Sequence, residues 1–148
     1  MDALQLLKDD HDHVKEMLKE LDATTKRARK GRTEGLARLK QELTVHEAIE
    51  EELFYPTLQR HAEAKAIVLE AYEEHDVVDS IMRDLEGTPV TDDTWAAKFT
   101  VMRENLEHHI EEEEGDMFGE ARSVLTAAEL RELGERMGEL KQGLLASA

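Results

Sequence analysis

Four histidines carry the chemistry open to this sequence: His11, His46, His75 and His109. Each stands where an apolar residue is expected in a run that steps by threes and fours. The first run is Leu4, Leu7, His11, Val14, Leu18, Leu21, and the second is Leu36, Leu39, Leu43, His46, Glu50, Leu53. The third is Val68, Ala71, His75, Val78, Met82, Leu85, and the fourth is Trp95, Phe99, Met102, Leu106, His109, Glu113. In the second and fourth runs a glutamate follows the histidine one helical turn on. Residues so spaced share a helix face about 6 Å apart, so an imidazole and a carboxylate there can bind one metal centre.

The pattern occurs twice. DDHDHVKEML (9–18) is echoed by EEHDVVDSIM (73–82), and HEAIEEELFYP (46–56) by HIEEEEGDMFG (109–119), at offsets of 64 and 63 residues. Within each half the two histidines are 35 and 34 residues apart. One helical hairpin used twice, with pseudo-two-fold symmetry, accounts for this spacing. Two hairpins would bring four imidazoles and two carboxylates to one depth, where the carboxylates can bridge two metal ions and leave positions open for a small ligand. A single histidine on an apolar seam is more often a satisfied core residue. Six polar groups at one level are different. Each costs roughly 2–7 kcal/mol if buried without a partner, against a total stability of about 5–15 kcal/mol. Metal coordination removes that penalty.

Helices must position these groups. Prolines occur only at 56 and 89, and no long alternating run suggests a strand. The periodicity predicts five helices, over about 2–29, 33–55, 62–85, from near 94 through the fourth run, and 126–145. Pro56 is expected to end or bend the second. GTPVTDD (87–93) makes the clear loop. Thr126-Ala-Ala-Glu129 is a capping box that announces the fifth helix, amphipathic through Leu130, Leu133, Met137, Leu140 and Leu144. The expected fold is all-α: an antiparallel up-down four-helix bundle over about 2–121 with an additional C-terminal helix, residues 1–148 forming a single domain. The extra helix covers the bundle or makes a dimer contact, so monomer and homodimer both stay open.

Composition narrows the chemistry. With no cysteine there is no thiolate site, and histidine with carboxylate suits iron, manganese or zinc. The net charge of −16, from 35 acidic and 19 basic residues, disfavours nucleic acid and anionic membranes as partners. KRARKGR (26–32) reads as the solvated end of the first helix. No uncharged stretch approaches the ~20 residues of a membrane helix, and the N-terminus is charged within ten residues. The chain reads as soluble and cytoplasmic.

DHDHV with His11, HEAIEEELFYP with His46 and Glu50, EEHDVVDSI with His75 and HHIEEEEGDMF with His109 and Glu113 resemble the hemerythrin-like (HHE cation-binding) domains, non-haem di-iron four-helix bundles. The resemblance covers about residues 1–120. It implies two iron ions in an oxo- or hydroxo-bridged centre, His11 and His46 on one, His75 and His109 on the other, with Glu50 and Glu113 bridging. Glu114 is the alternative to Glu113, because oxygen-carrying hemerythrins use an aspartate at that position. Those carriers also have a histidine where Ala71 stands here. Without that fifth imidazole both irons stay accessible, which favours turnover over storage. The expected activity is therefore reaction with hydrogen peroxide, O2 or NO, preferably catalase-like peroxide breakdown. The alternatives are an O2 carrier, an iron or oxygen sensor, or an acidic bundle without metal. Ferritin-like bundles place a glutamate three residues before a histidine, a spacing absent from all four.

Several neighbours have expected places. Tyr72, three residues before His75 on nearly the same face, is a candidate to contact the site. Tyr55, nine after His46, is expected on the opposite face as packing at the helix end. Leu53, Phe54, Met117 and Phe118 cap the site or belong to ordinary core. His13, His61 and His108 lie off the seams. Asp12 and Asp76 are candidates to orient an imidazole on a neighbouring helix, while Glu51, Glu52 and Glu112 read as solvated charge.

Overall fold

A computed structural model describes all 148 residues and contains helices joined by short turns, with no strand. Helix α1 (Ala3–Asp22) begins at Asp2, whose carboxylate accepts from the Gln5 amide at 2.8 Å. It packs on α2 (Arg29–Ile49), while α4 (Ala62–Glu86) packs on α5 (Asp93–Glu112). The contacts of α1 with α5 and of α2 with α4 close the four into an up-down bundle. Two short helices, α3 (Tyr55–Gln59) and α6 (Phe118–Val124), extend α2 and α5, each across a five-residue π-helical segment, Glu50–Phe54 and Glu113–Met117. Helix α7 (Ala127–Ser147) lies against α1 and α2.

The termini follow local chemistry. The Thr126 hydroxyl accepts from the Glu129 amide and the Glu129 carboxylate from the Thr126 amide, so the capping box forms as expected. Asp92 caps α5 by accepting from the Thr94 amide. Gly134 lets α7 approach the backbone of Met1, Asp2 and Ala3, where a Cβ would come within 3.0 Å.

Three expectations are corrected. Helix α1 stops at Asp22 rather than near residue 29, and α2 starts at Arg29 rather than near 33. The basic stretch is thus a turn and a helix start. Its Arg32 is buried, donates to Thr24 and to the Val90 carbonyl, and lies 4.4 Å over the Trp95 ring. Pro56 does not end the helix, because it falls in the first turn of α3 just past a π turn.

Two apolar cores fill the bundle. Leu4, Leu7, Ile49, Phe54, Tyr55, Ala71, Met117 and Phe118 belong to one, together with Leu130, Leu133 and Met137 of α7. Val14, Leu18, Leu43, Val78, Leu106 and Ile110 belong to the other. His11, His46, His75 and His109 fall between them along every helix of the bundle. A polar layer therefore divides the molecule's hydrophobic interior.

Candidate metal centre

Each histidine enters the layer from a different helix, so tertiary packing has to assemble them. The four are 1–5 % exposed, Glu50 0 % and Glu113 1 %. The rings of His11 and His46 lie 4.9 Å apart, as do those of His75 and His109. Each glutamate reaches across the two pairs. Glu50 Oε1 stands 3.3 Å from His46 Nε2 and 3.1 Å from His75 Nε2. Glu113 Oε1 stands 3.1 Å from His11 Nε2, and its Oε2 3.4 Å from His109 Nε2. Two donor sets that could each hold a cation result: His11, His46, Glu50 and Glu113, and Glu50, His75 and His109. All six residues singled out by spacing thus share one place.

The opposite ring nitrogens all face carboxylates. His11 Nδ1 donates to Glu114 at 2.7 Å, His46 Nδ1 to Asp10 at 3.0 Å, His75 Nδ1 to Glu51 at 2.8 Å and His109 Nδ1 to Glu74 at 2.8 Å. Four such bonds keep a proton on every Nδ1 and turn every Nε2 inward. They correct the expectation for Asp12, which pairs with Lys8 instead, and for the exposed Asp76. They also correct Glu51, which is an orienting group rather than solvated charge. Glu114 is turned to the outer side of His11, so Glu113 faces the centre.

Tyr55 is the residue that spacing misplaced. Its hydroxyl donates to Glu113 Oε2 at 2.5 Å and lies 3.2 Å from His75 Nε2 and 3.4 Å from His109 Nε2. The π segment between His46 and Tyr55 explains the error. One extra residue in a turn sets back everything beyond it by about 100°, which brings Tyr55 from the far face to the centre. Tyr72 is half-buried and stacks edge-on against Tyr55, with ring centroids 5.2 Å apart, one residue removed from the six. Phe54, Met117 and Phe118 are buried beside the centre, Leu53 only partly. His13 and His108 are exposed, and His61 precedes α4.

What four of the six groups lack is partners. His11 Nε2, His46 Nε2, both Glu50 oxygens and Glu113 Oε1 are buried without a hydrogen bond. Without a cation the layer holds itself together by charge. Burial lowers the affinity of His75 and His109 for a proton, but hydrogen bonds to Glu50 and Glu113 outweigh it and hold them up to about 9 and about 10. His46 is likewise raised well above the usual range, burial being overcome by Glu50 and Asp10. Burial, then the charges of Glu113 and Glu50, pushes the Tyr55 phenol up as well. Burial also lifts Glu47, beside the layer, to about 8. Once a cation displaces those protons, neutral imidazoles and ionised carboxylates with inward lone pairs form a donor set for a hard or borderline cation. A cation resolves the unpartnered atoms, so the residues fit a metal.

The chain resembles known proteins throughout this region. At 37 % identity over 100 residues it is similar to uncharacterized proteins of Mycobacterium tuberculosis, Rv2633c, and of Mycobacterium bovis, Mb2666c. Those matches cover 65 % of this chain, and the chain spans 58 % of the length of the curated relatives it matches. A crystal structure of a hemerythrin HHE cation binding domain-containing protein, the Rv2633c homolog from Mycobacterium kansasii, superposes with a TM-score of 0.87 at 29 % identity. It covers 99 % of this chain and 89 % of that one. Residues 2–121 match the hemerythrin HHE cation binding domain, a span that contains all six convergent groups. The chain belongs to the hemerythrin HHE cation-binding family.

Proposed function

We propose that this is a non-haem di-iron protein that breaks down hydrogen peroxide in a catalase-like reaction. His11 and His46 hold one iron, His75 and His109 the other, and Glu50 and Glu113 are shared. Residues 1–148 act as one unit, with α7 as its added helix. The observation that carries the reading is the convergence of six buried groups from four helices, with His11 Nε2, His46 Nε2, both Glu50 oxygens and Glu113 Oε1 left without a partner. When bound, the iron pair supplies redox equivalents and open coordination positions.

The chain's own groups do the rest. Asp10, Glu51, Glu74 and Glu114 hold the four rings in one orientation and increase the electron density each Nε2 presents. A cavity of about 10 Å³ lies against the four imidazoles, walled by Val14, Leu43, Val78, Leu106 and Ile110 together with the largely buried Glu47. That is room for one water-sized molecule, so the substrate is as small as peroxide, O2 or NO. The walls keep bulk water away, which strengthens every electrostatic interaction inside. Tyr55, in the core on the other side of the layer from this cavity, stays protonated and donates to Glu113, placed to pass a proton to that shared carboxylate. Ala71, 1 % exposed, leaves no donor for the fifth imidazole of an oxygen carrier.

Iron-loaded protein given peroxide should release oxygen and contain about two irons per chain. A His46→Ala, His109→Ala variant should do neither. Oxygen release no greater than that of the variant would end the peroxidatic reading. A visible band that forms under oxygen and vanishes on degassing would replace it with carriage.

A further inference from the structure

Three of the four carboxylates behind the histidines reach solvent, and the fourth does not. The side chains of Glu114, Glu51 and Glu74 are 20 %, 39 % and 28 % exposed, Asp10 only 4 %. A carboxylate this buried needs a partner for each oxygen. Its Oδ2 accepts from His46, and its Oδ1 accepts from the Lys141 ammonium at 2.5 Å. Lys141 lies on α7, beyond the segment that matches the family. It sits one turn past the buried Met137, which itself lies one turn past Leu133, on the face that docks against α1. Gly134 seats that face on the N-terminal backbone. The helix therefore delivers a cation to the back of one imidazole. Glu51 and Glu74 have no lysine or arginine in contact, and Glu114 has only the half-exposed Lys8 at 3.9 Å.

We infer that Lys141 is a positioning residue that makes the iron on the His46 side the more easily reduced of the pair. The inference rests on the di-iron reading above. A carboxylate bonded to Nδ1–H raises the basicity of the imidazole and favours the more oxidised metal. An ammonium on the carboxylate's other oxygen draws that charge away. His75 and His109 keep the full effect of their carboxylates, and His46 does not. The two irons thereby acquire different reduction potentials although their protein ligands are alike.

Lys141→Gln, Lys141→Met and Lys141→Arg, each loaded with iron, test this by metal analysis and redox titration followed optically. With about two irons retained, Gln and Met should lower the more positive midpoint by at least a tenfold shift in the oxidised-to-reduced ratio, about 59 mV for one electron. The other midpoint should hold, and Arg should restore the wild-type gap. Either neutral variant suffices if the other does not fold. Unchanged midpoints at full iron content would overturn the inference and leave the di-iron reading standing. Loss of iron from a folded neutral variant would also overturn it, by assigning Lys141 to holding Asp10 in place. Wild-type protein that takes up no iron would instead overturn the di-iron reading.

Discussion

The two π segments place different residues at equivalent points of the two halves of the site. Glu50–Phe54 and Glu113–Met117 each begin at an inward glutamate and end just before an aromatic residue. In the first case that residue is Tyr55, whose hydroxyl reaches Glu113, His75 and His109. In the second it is Phe118, which stacks over His11 at 6.2 Å and offers no hydrogen bond. Every unpartnered imidazole nitrogen belongs to the Phe118 half, His11 and His46. The repeat thus duplicates the backbone device and the donor set, while one oxygen atom and one lysine distinguish the halves. Symmetric donor residues do not make a symmetric site.

The largest effect comes from removing the shared carboxylates. Glu50→Ala with Glu113→Ala should abolish retention of both irons through desalting, measured by elemental analysis, because each glutamate spans both pairs. Tyr55→Phe removes one of the two differences between the halves. It should keep the iron and lower peroxide turnover by about 100-fold, the range of one lost proton donor, read as kcat from an oxygen electrode. Turnover equal to wild type would remove the tyrosine from the reaction. Glu74→Gln and Glu51→Gln act behind the Tyr55 half alone. Each should weaken iron binding by about 10- to 100-fold in competition with a chelator, without changing the fold by circular dichroism.

Without metal, the same half gives a dependence on pH. His75 and His109 bind protons more tightly when folded, at about 9 and about 10, than the ordinary 6.5. Their pairs with the glutamates therefore stabilise the metal-free chain fully below pH 6.5, and that contribution disappears as pH rises through 9 and 10. The thermal midpoint of chelator-treated protein should fall over that window, and iron should expel protons as it binds. The smallest effect lies far from the centre. Thr126→Ala removes one cap of α7 and should cost about 1 kcal/mol in urea denaturation. Iron content should not change.

Much of this was legible in the residues. His11, His46, His75 and His109 interrupt seams that are otherwise apolar, and a helical period of 3.6 makes such an interruption visible without any structure. Glu50 and Glu113 are found the same way, because i and i+4 share a face whatever the fold does elsewhere. The capping box at Thr126 is equally local. The helix boundary near 22–29 was harder to see, because a basic, helix-forming stretch serves as well for a turn and a helix start as for a helix end.

Tertiary structure alone decided the rest. A π turn is a backbone choice with no reliable residue signature, and it moved Tyr55 from the outer face to the centre. The orienting carboxylates are reached across helices: Asp10 for His46, Glu51 for His75, Glu74 for His109 and Glu114 for His11. Nothing in linear spacing selects among 35 acidic residues, because the contacts depend on the register of one helix against another. Lys141 is the extreme case, 131 residues from its partner Asp10. Periodicity along one helix determined which groups point inward, and packing between helices determined what stands behind them.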